Sequence, residues 1–145
     1  TSFSFSSFSG PRFSSPANGL AVDSLGNVFV VGKVWPGTES SHWTVRKGVR
    51  SQSHDGVLTL DWKTVDDFQL DPEQDSSSTA IYIDPSNTIY AIGTGRLKTV
   101  YSPNSSDINP KSMGVIRKST DAGETWNTIS TIGTPMSSFA FNPLE

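Results

Sequence analysis

Apolar positions alternate with small polar ones in short runs, and the runs recur. Ala21-Val-Asp-Ser-Leu-Gly-Asn-Val-Phe-Val-Val-Gly32 aligns without a gap on Tyr82-Ile-Asp-Pro-Ser-Asn-Thr-Ile-Tyr-Ala-Ile-Gly93, an offset of 61 residues. Further on, Val45-Arg46-Lys47 matches Ile116-Arg117-Lys118, and Trp62-Lys-Thr-Val65 matches Trp126-Asn-Thr-Ile129. A third copy opens at Phe139-Ala-Phe-Asn-Pro143, echoing Ile81-Tyr-Ile-Asp-Pro85, and Thr1–Phe13 occupies the place of a segment that follows a repeat Trp. Repeats of this kind bury their apolar faces on their neighbours.

Each copy reads as four short strands. In the first they span about Gly19–Val22, Asn27–Gly32, His42–Lys47 and Trp62–Phe68; in the second, Thr79–Ile83, Thr88–Gly93, Gly114–Ser119 and Thr125–Thr131. The first two strands of each copy are joined by Asp23-Ser-Leu-Gly26 and Asp84-Pro-Ser-Asn87. There the Asp caps its own turn, Pro85 presets φ, and Gly26 or Asn87 can take positive φ. The second strand is nearly all apolar, as expected of a strand covered on both faces. The expected fold is all-β: four-stranded antiparallel blades of a β-propeller, two full and one partial at each end. One segment, 1–145, divides into 1–13, 14–75, 76–136 and 137–145, with loop excess at Arg50–Leu60 and Gly95–Ser112. The alternative is a sandwich-like packing of the two sheets.

Composition narrows the function more than the fold. Ser and Thr make up about a quarter of the chain, well above ordinary usage, which disfavours helix. A net charge of −3 with no basic stripe speaks against nucleic acid. No apolar run reaches the length of a membrane span. The absence of Cys excludes disulfides and thiolate metal sites, and the spacing of His42 and His54 suggests no metal. No signal-like segment opens the chain, so a targeting peptide is expected to be absent or already removed. No cofactor is expected: neither a phosphate-binding Gly-rich loop nor a nucleophile elbow is present.

The most specific motif is Ser119-Thr-Asp-Ala-Gly-Glu-Thr-Trp126, between the last two strands of the second copy. Asp121 can accept from backbone N–H groups of its own turn, Gly123 allows positive φ, and Trp126 can lay its indole over the turn. Ser119 supplies a hydroxyl near the hairpin mouth, and Thr125 is a further defined member of the motif. Asp121 and Glu124 could be read as an acid/base pair, but a tight turn provides no cleft and no third partner, so no catalytic residue is assigned. The first copy has lost the motif: Ser53-His-Asp-Gly56 precedes Trp62 at a different spacing.

The second copy resembles the Asp-box (BNR) repeat of sialidase-like bacterial β-propellers, and Ala21–Gly32 is similar to the blades of secreted bacterial propeller repeat proteins. That resemblance implies a secreted or cell-surface protein, often carbohydrate-facing, and places the motif away from any catalytic face. The functional expectation is a non-catalytic scaffold, adhesion or glycan- or protein-binding module. The alternative is a fragment of a sialidase-like glycoside hydrolase whose catalytic residues lie outside this chain.

In a four-strand meander the tight turns share one edge and the variable loops share the other, where binding is expected. Trp35 on one such loop, and Arg96 and Tyr101 on another with Lys98 nearby, are the candidate ligand-binding residues; the competing expectation is that the aromatics pin their loops. Arg46 and Arg117 are repeat-equivalent and expected to pair with surface carboxylates such as Asp61 or Glu124. Asn104-Ser-Ser106 is a glycosylation sequon, meaningful only in a eukaryotic secretory setting. Possible partners are a glycan or a cell-surface protein. Self-association, or membership of a larger propeller, is also expected, because two blades alone leave sheet faces bare.

Overall fold

The turn chemistry sets the register. In the computed structural model, which describes residues 16–37, 40–52, 55–98, 110–138 and 140, the Asp23 carboxylate accepts from Leu25 N and Asn27 N at 3.0 and 2.8 Å. Asp84 repeats this with Ser86 N and Thr88 N, both at 2.9 Å. Gly26 (φ 80°) and Asn87 (φ 62°) take the left-handed conformation that closes each hairpin. The strands flanking these turns are β1 (Ala17–Val22), β2 (Val28–Val34), β5 (Ser76–Ile83) and β6 (Ile89–Leu97).

β3 (His42–Gln52) and β4 (Leu58–Phe68) complete the first sheet; β7 (Lys111–Ser119) and β8 (Asn127–Ile132) complete the second. Both are four-stranded antiparallel meanders, ordered β1-β2-β3-β4 and β5-β6-β7-β8. Two loop expectations need correction. Most of Arg50–Leu60 is ladder, since β3 and β4 stay paired out to Gln52 and Leu58. Arg96, expected in a loop, lies within β6, paired with Ser112. The third-copy residues Phe139 and 141–143, the N-terminal 1–13 and the sequon lie outside the described residues.

The sheets pack face to face, with β5 lying closest on β1, β2 and β3. Phe29, Val31, Trp43 and Val45 of the first sheet meet Ile89, Ala91 and Val115 of the second, all at most 1% exposed. Ile81 and Ile83 pack around this core, with Val65, Phe68 and Trp126. Gly93 makes room for Trp43: a Cβ there would lie 2.8 Å from the indole and 2.1 Å from Ser77 O.

The two sheets do not present the same face to each other. Alternation along the ladders puts Ala21, Phe29, Val31 and Lys47 on the inner side of the first sheet, with Leu20, Val22, Val28, Val30 and Arg46 on its outer side. In the second sheet the equivalents of that outer set, Ile81, Ile83, Ile89, Ala91 and Arg117, are the inner residues. The equivalents of the first sheet's inner set, Tyr82, Tyr90, Ile92 and Lys118, lie on the far side. The contact is therefore heterologous, one face of a repeat against the opposite face of the next.

The same step begins again beyond the second sheet. Asn18 Nδ2 donates to Ser78 O at 2.8 Å, and its repeat equivalent Thr79 donates through Oγ1 to Met136 O at 3.1 Å. Lys47 lies over the Phe29 ring at 5.5 Å, and Lys118 over the Tyr90 ring at 5.4 Å.

Candidate functional site

The Ser119–Trp126 turn is held from within, as the sequence implies. Ser119 Oγ donates to Asp121 Oδ1 (2.8 Å) and accepts from Gly123 N (2.9 Å). Thr125 N donates to Asp121 Oδ1 at 2.8 Å, the Thr125 hydroxyl donates to Oδ2, and Trp126 Nε1 donates to Gly123 O at 3.1 Å. These donors, led by the Thr125 hydroxyl, hold the Asp121 carboxyl down to about 2. Ionised and saturated with donors, Asp121 has no proton to give near neutral pH.

This turn also joins the sheets. Lys47 Nζ donates to Ala122 O at 2.8 Å, and Lys63 pairs with Glu124 at 2.8 Å. The Lys63 ammonium, through its hydrogen bond and its charge, lowers the Glu124 pKa. Gly123 (φ 89°) sits so close to Phe29 that a Cβ would lie 2.9 Å from its ring. The neighbouring hairpins meet too: Ser24 N donates to Asn87 Oδ1 at 3.1 Å, and Asn87 Nδ2 to Ser24 Oγ at 2.7 Å. The tight-turn edge is thus a seam between repeats.

Because Asp121 has a lower pKa folded than its ordinary 3.8, its contribution to stability is complete above that value. It is lost as the pH falls toward about 2. Asp121→Asn should therefore flatten the acid limb of the stability–pH curve, measured by urea unfolding between about pH 5 and 2. An acid limb identical to that of the unsubstituted chain would overturn this role.

The expectation for Arg117 is corrected. Arg117 does not reach a surface carboxylate: its Nε and Nη2 grip Asp66 Oδ2 and Oδ1 of the first sheet, each at 2.7 Å. Both residues are buried, and the guanidinium lies 4.1 Å from the Phe68 ring centroid. Glu124 instead serves Lys63 and Lys47. Burial pushes the Asp66 carboxyl above its ordinary value, against the pull of Arg117. The spacing Trp62…Asp66 is legible in the sequence; what it lacked was which sheet face Arg117 occupies.

At the opposite edge the structure brings two of the three candidate ligand residues together. A cleft of about 370 Å³ opens between the sheets, lined among the described residues by Lys33, Trp35 and Ser41 of the first repeat, and Asp75–Ser77, Thr94 and Arg96 around the second. That volume lies in the range of small-ligand sites. Tyr101 lies outside the described residues. Trp35 is 50% exposed at the rim.

The cleft is ordered around the half-exposed Asp75, which sequence reasoning did not single out. Asp75 Oδ1 accepts from Ser41 N and Oγ, both at 2.8 Å, and Arg96 Nη1 reaches Oδ2 at 3.3 Å. Ser76 N donates to Ser41 O (2.8 Å) and Arg96 N to Asp75 O (3.0 Å). The Ser41 backbone hydrogen bond is the largest cause that lowers the Asp75 pKa; the Ser41 hydroxyl and the Arg96 and Lys33 charges add to it. The cleft thus offers two cations, one ionised carboxylate, several hydroxyls and an indole face. Among the described residues no cluster of His, Cys, Asp and Glu could hold a metal ion, and no helix is long and apolar enough to cross a membrane.

No family model, curated protein or solved structure matches the chain.

Proposed function

We propose that the two sheets are consecutive blades of an Asp-box-type β-propeller, and that the chain is an extracytoplasmic, non-catalytic binding module. Its ligand, a glycan or glycan-bearing surface protein, sits in the cleft at Trp35 and Arg96. Supporting the blade reading is the head-to-tail contact of the sheets, which a propeller repeats around its axis.

One observation carries the functional reading: a half-exposed indole stands at the rim of a preformed polar cleft. Aromatic faces stack on the C–H face of a sugar ring, while fixed donors and acceptors read its hydroxyls. Asp75 is ionised and tied to Ser41 and Arg96, so it orients donors and does not transfer protons. A glycan array on the intact chain, followed by titration of the best glycan, tests the reading. Trp35→Ala should weaken binding at least about tenfold, equivalent to roughly 1.4 kcal/mol, at unchanged melting temperature. Arg96→Met should also weaken binding. Equal affinity in both variants would move the site elsewhere.

A further inference from the structure

The cleft beside Trp35 holds a cation that the protein leaves unmatched. Lys33 pairs with Trp43 across the β2–β3 ladder, on the inner side of the first sheet with Phe29 and Val31. It lines the cleft together with Asp75 and Arg96. Among the described residues no carboxylate lies within ion-pair distance of its ammonium, and no hydrogen bond engages it. The neighbouring charges are matched already. Arg96 Nη1 faces Asp75 Oδ2 at 3.3 Å, while Asp75 Oδ1 takes both donors of Ser41. Just outside the lining, Lys98 Nζ stands 3.9 Å from Glu73, and its backbone N–H donates to Asp71 at 2.7 Å.

The lining thus sets two cations against one carboxylate, in a chain whose net charge is −3. A cleft with an excess of one sign concentrates the field at its mouth and draws ligands of the other sign. The Lys33 charge is felt across the cleft, where it helps to keep Asp75 ionised. A neutral sugar would take water from this ammonium and return no counter-charge. The kind of cation also selects the kind of anion. A planar carboxylate is met best by a guanidinium fork, and the Arg96 fork is already turned toward Asp75. An ammonium is a compact point charge with three diverging donors, suited to the oxygens of a tetrahedral oxyanion.

We propose that the cleft selects a sugar whose ring bears a tetrahedral oxyanion ester, sulfate or phosphate, and that the Lys33 ammonium reads that ester. The proposal rests on the glycan reading of the cleft and adds the ligand's charge to it. The ester meets Lys33, while the Asp75 carboxylate repels it from the Arg96 side, so the ring is held in one orientation. A ring hydroxyl then faces Asp75 and Arg96, as acceptor and donor allow.

The test is an array of matched oligosaccharides: neutral parents, their sulfate and phosphate esters, and uronic-acid counterparts. It is run on the intact chain and followed by titration of the best-bound pair. The ester should bind at least about tenfold more tightly than its parent, the scale of one charge-assisted hydrogen bond. That preference should shrink as sodium chloride rises from about 50 to about 300 mM, because a partly exposed pair is screened. Lys33→Gln should reduce the preference to within about threefold. Lys63→Gln, the same loss of charge at the tight-turn edge, should keep it. Thermal melts establish that each variant is folded; should Lys33→Gln fail this, the salt dependence of the unsubstituted chain decides. A preference for either ester supports the proposal and identifies which. Neutral or uronic-acid sugars bound as tightly as the esters, or a preference that survives Lys33→Gln, would overturn it and leave the glycan reading standing. An array on which no glycan is bound overturns both.

Discussion

Asp66→Ala is expected to lower the unfolding free energy by about 3–5 kcal/mol, the cost of stranding one partner of a buried ion pair. The pair is bidentate, both side chains are at most 9% exposed, and it joins strands of different sheets. Removing the acid leaves the Arg117 guanidinium against the Phe68 ring, with Thr128 Oγ1 and Trp126 O as its other acceptors. Burial already pushes the Asp66 carboxyl up, so ionising it inside the fold has a cost that Arg117 only partly offsets. The double variant Asp66→Leu/Arg117→Met should accordingly recover most of the loss, since an apolar pair of similar volume has no charge to desolvate. Urea unfolding of the single and double variants measures both. A single variant within about 1 kcal/mol of the unsubstituted chain would show the pair to be as weak as a surface one.

Trp43→Ala should cost roughly 3–5 kcal/mol, the range for truncating a large buried aromatic. The indole is 0% exposed, meets Phe68 edge to face at 6.0 Å, and fills the space left by Gly93 in the other sheet. Its removal empties the centre of the inter-sheet core, and the flanking strands are pinned by their ladders and cannot collapse fully into the void. The loss should be larger than for Trp126→Ala, whose indole is only half-buried. Chemical denaturation of both variants checks the order, and a reversed order would relocate the core to the Ser119–Trp126 turn.

The ranking of these two tryptophans shows where sequence reading reaches its limit. Trp126 is conspicuous because it closes a motif whose every member acts within a few residues: Asp121 accepts from Thr125, and Trp126 donates to Gly123. Trp43 sits in no motif. Its importance comes from Phe68 and Gly93, residues 25 and 50 positions away, brought to it by strand pairing and sheet packing. Arg117 repeats the lesson. Its equivalence to Arg46 is legible, yet its pairing with Asp66 is not, because the choice depends on which face of β7 turns toward β4 of the other sheet.

The sequence by itself determined what short-range chemistry and period-two alternation control. It set the eight strands to within a few residues, the Asp-capped hairpins at Asp23 and Asp84, and the internal bonding of the Ser119–Trp126 turn. Only the tertiary structure decided how the repeats face each other, that Trp35, Arg96 and Asp75 line one cleft, and that Lys47 and Lys63 fasten the turn of the neighbouring repeat. The physical reason is range. A turn or a strand is selected by interactions among neighbours in the chain, whereas each inter-sheet contact joins residues tens of positions apart whose meeting follows from burying two whole sheet faces at once.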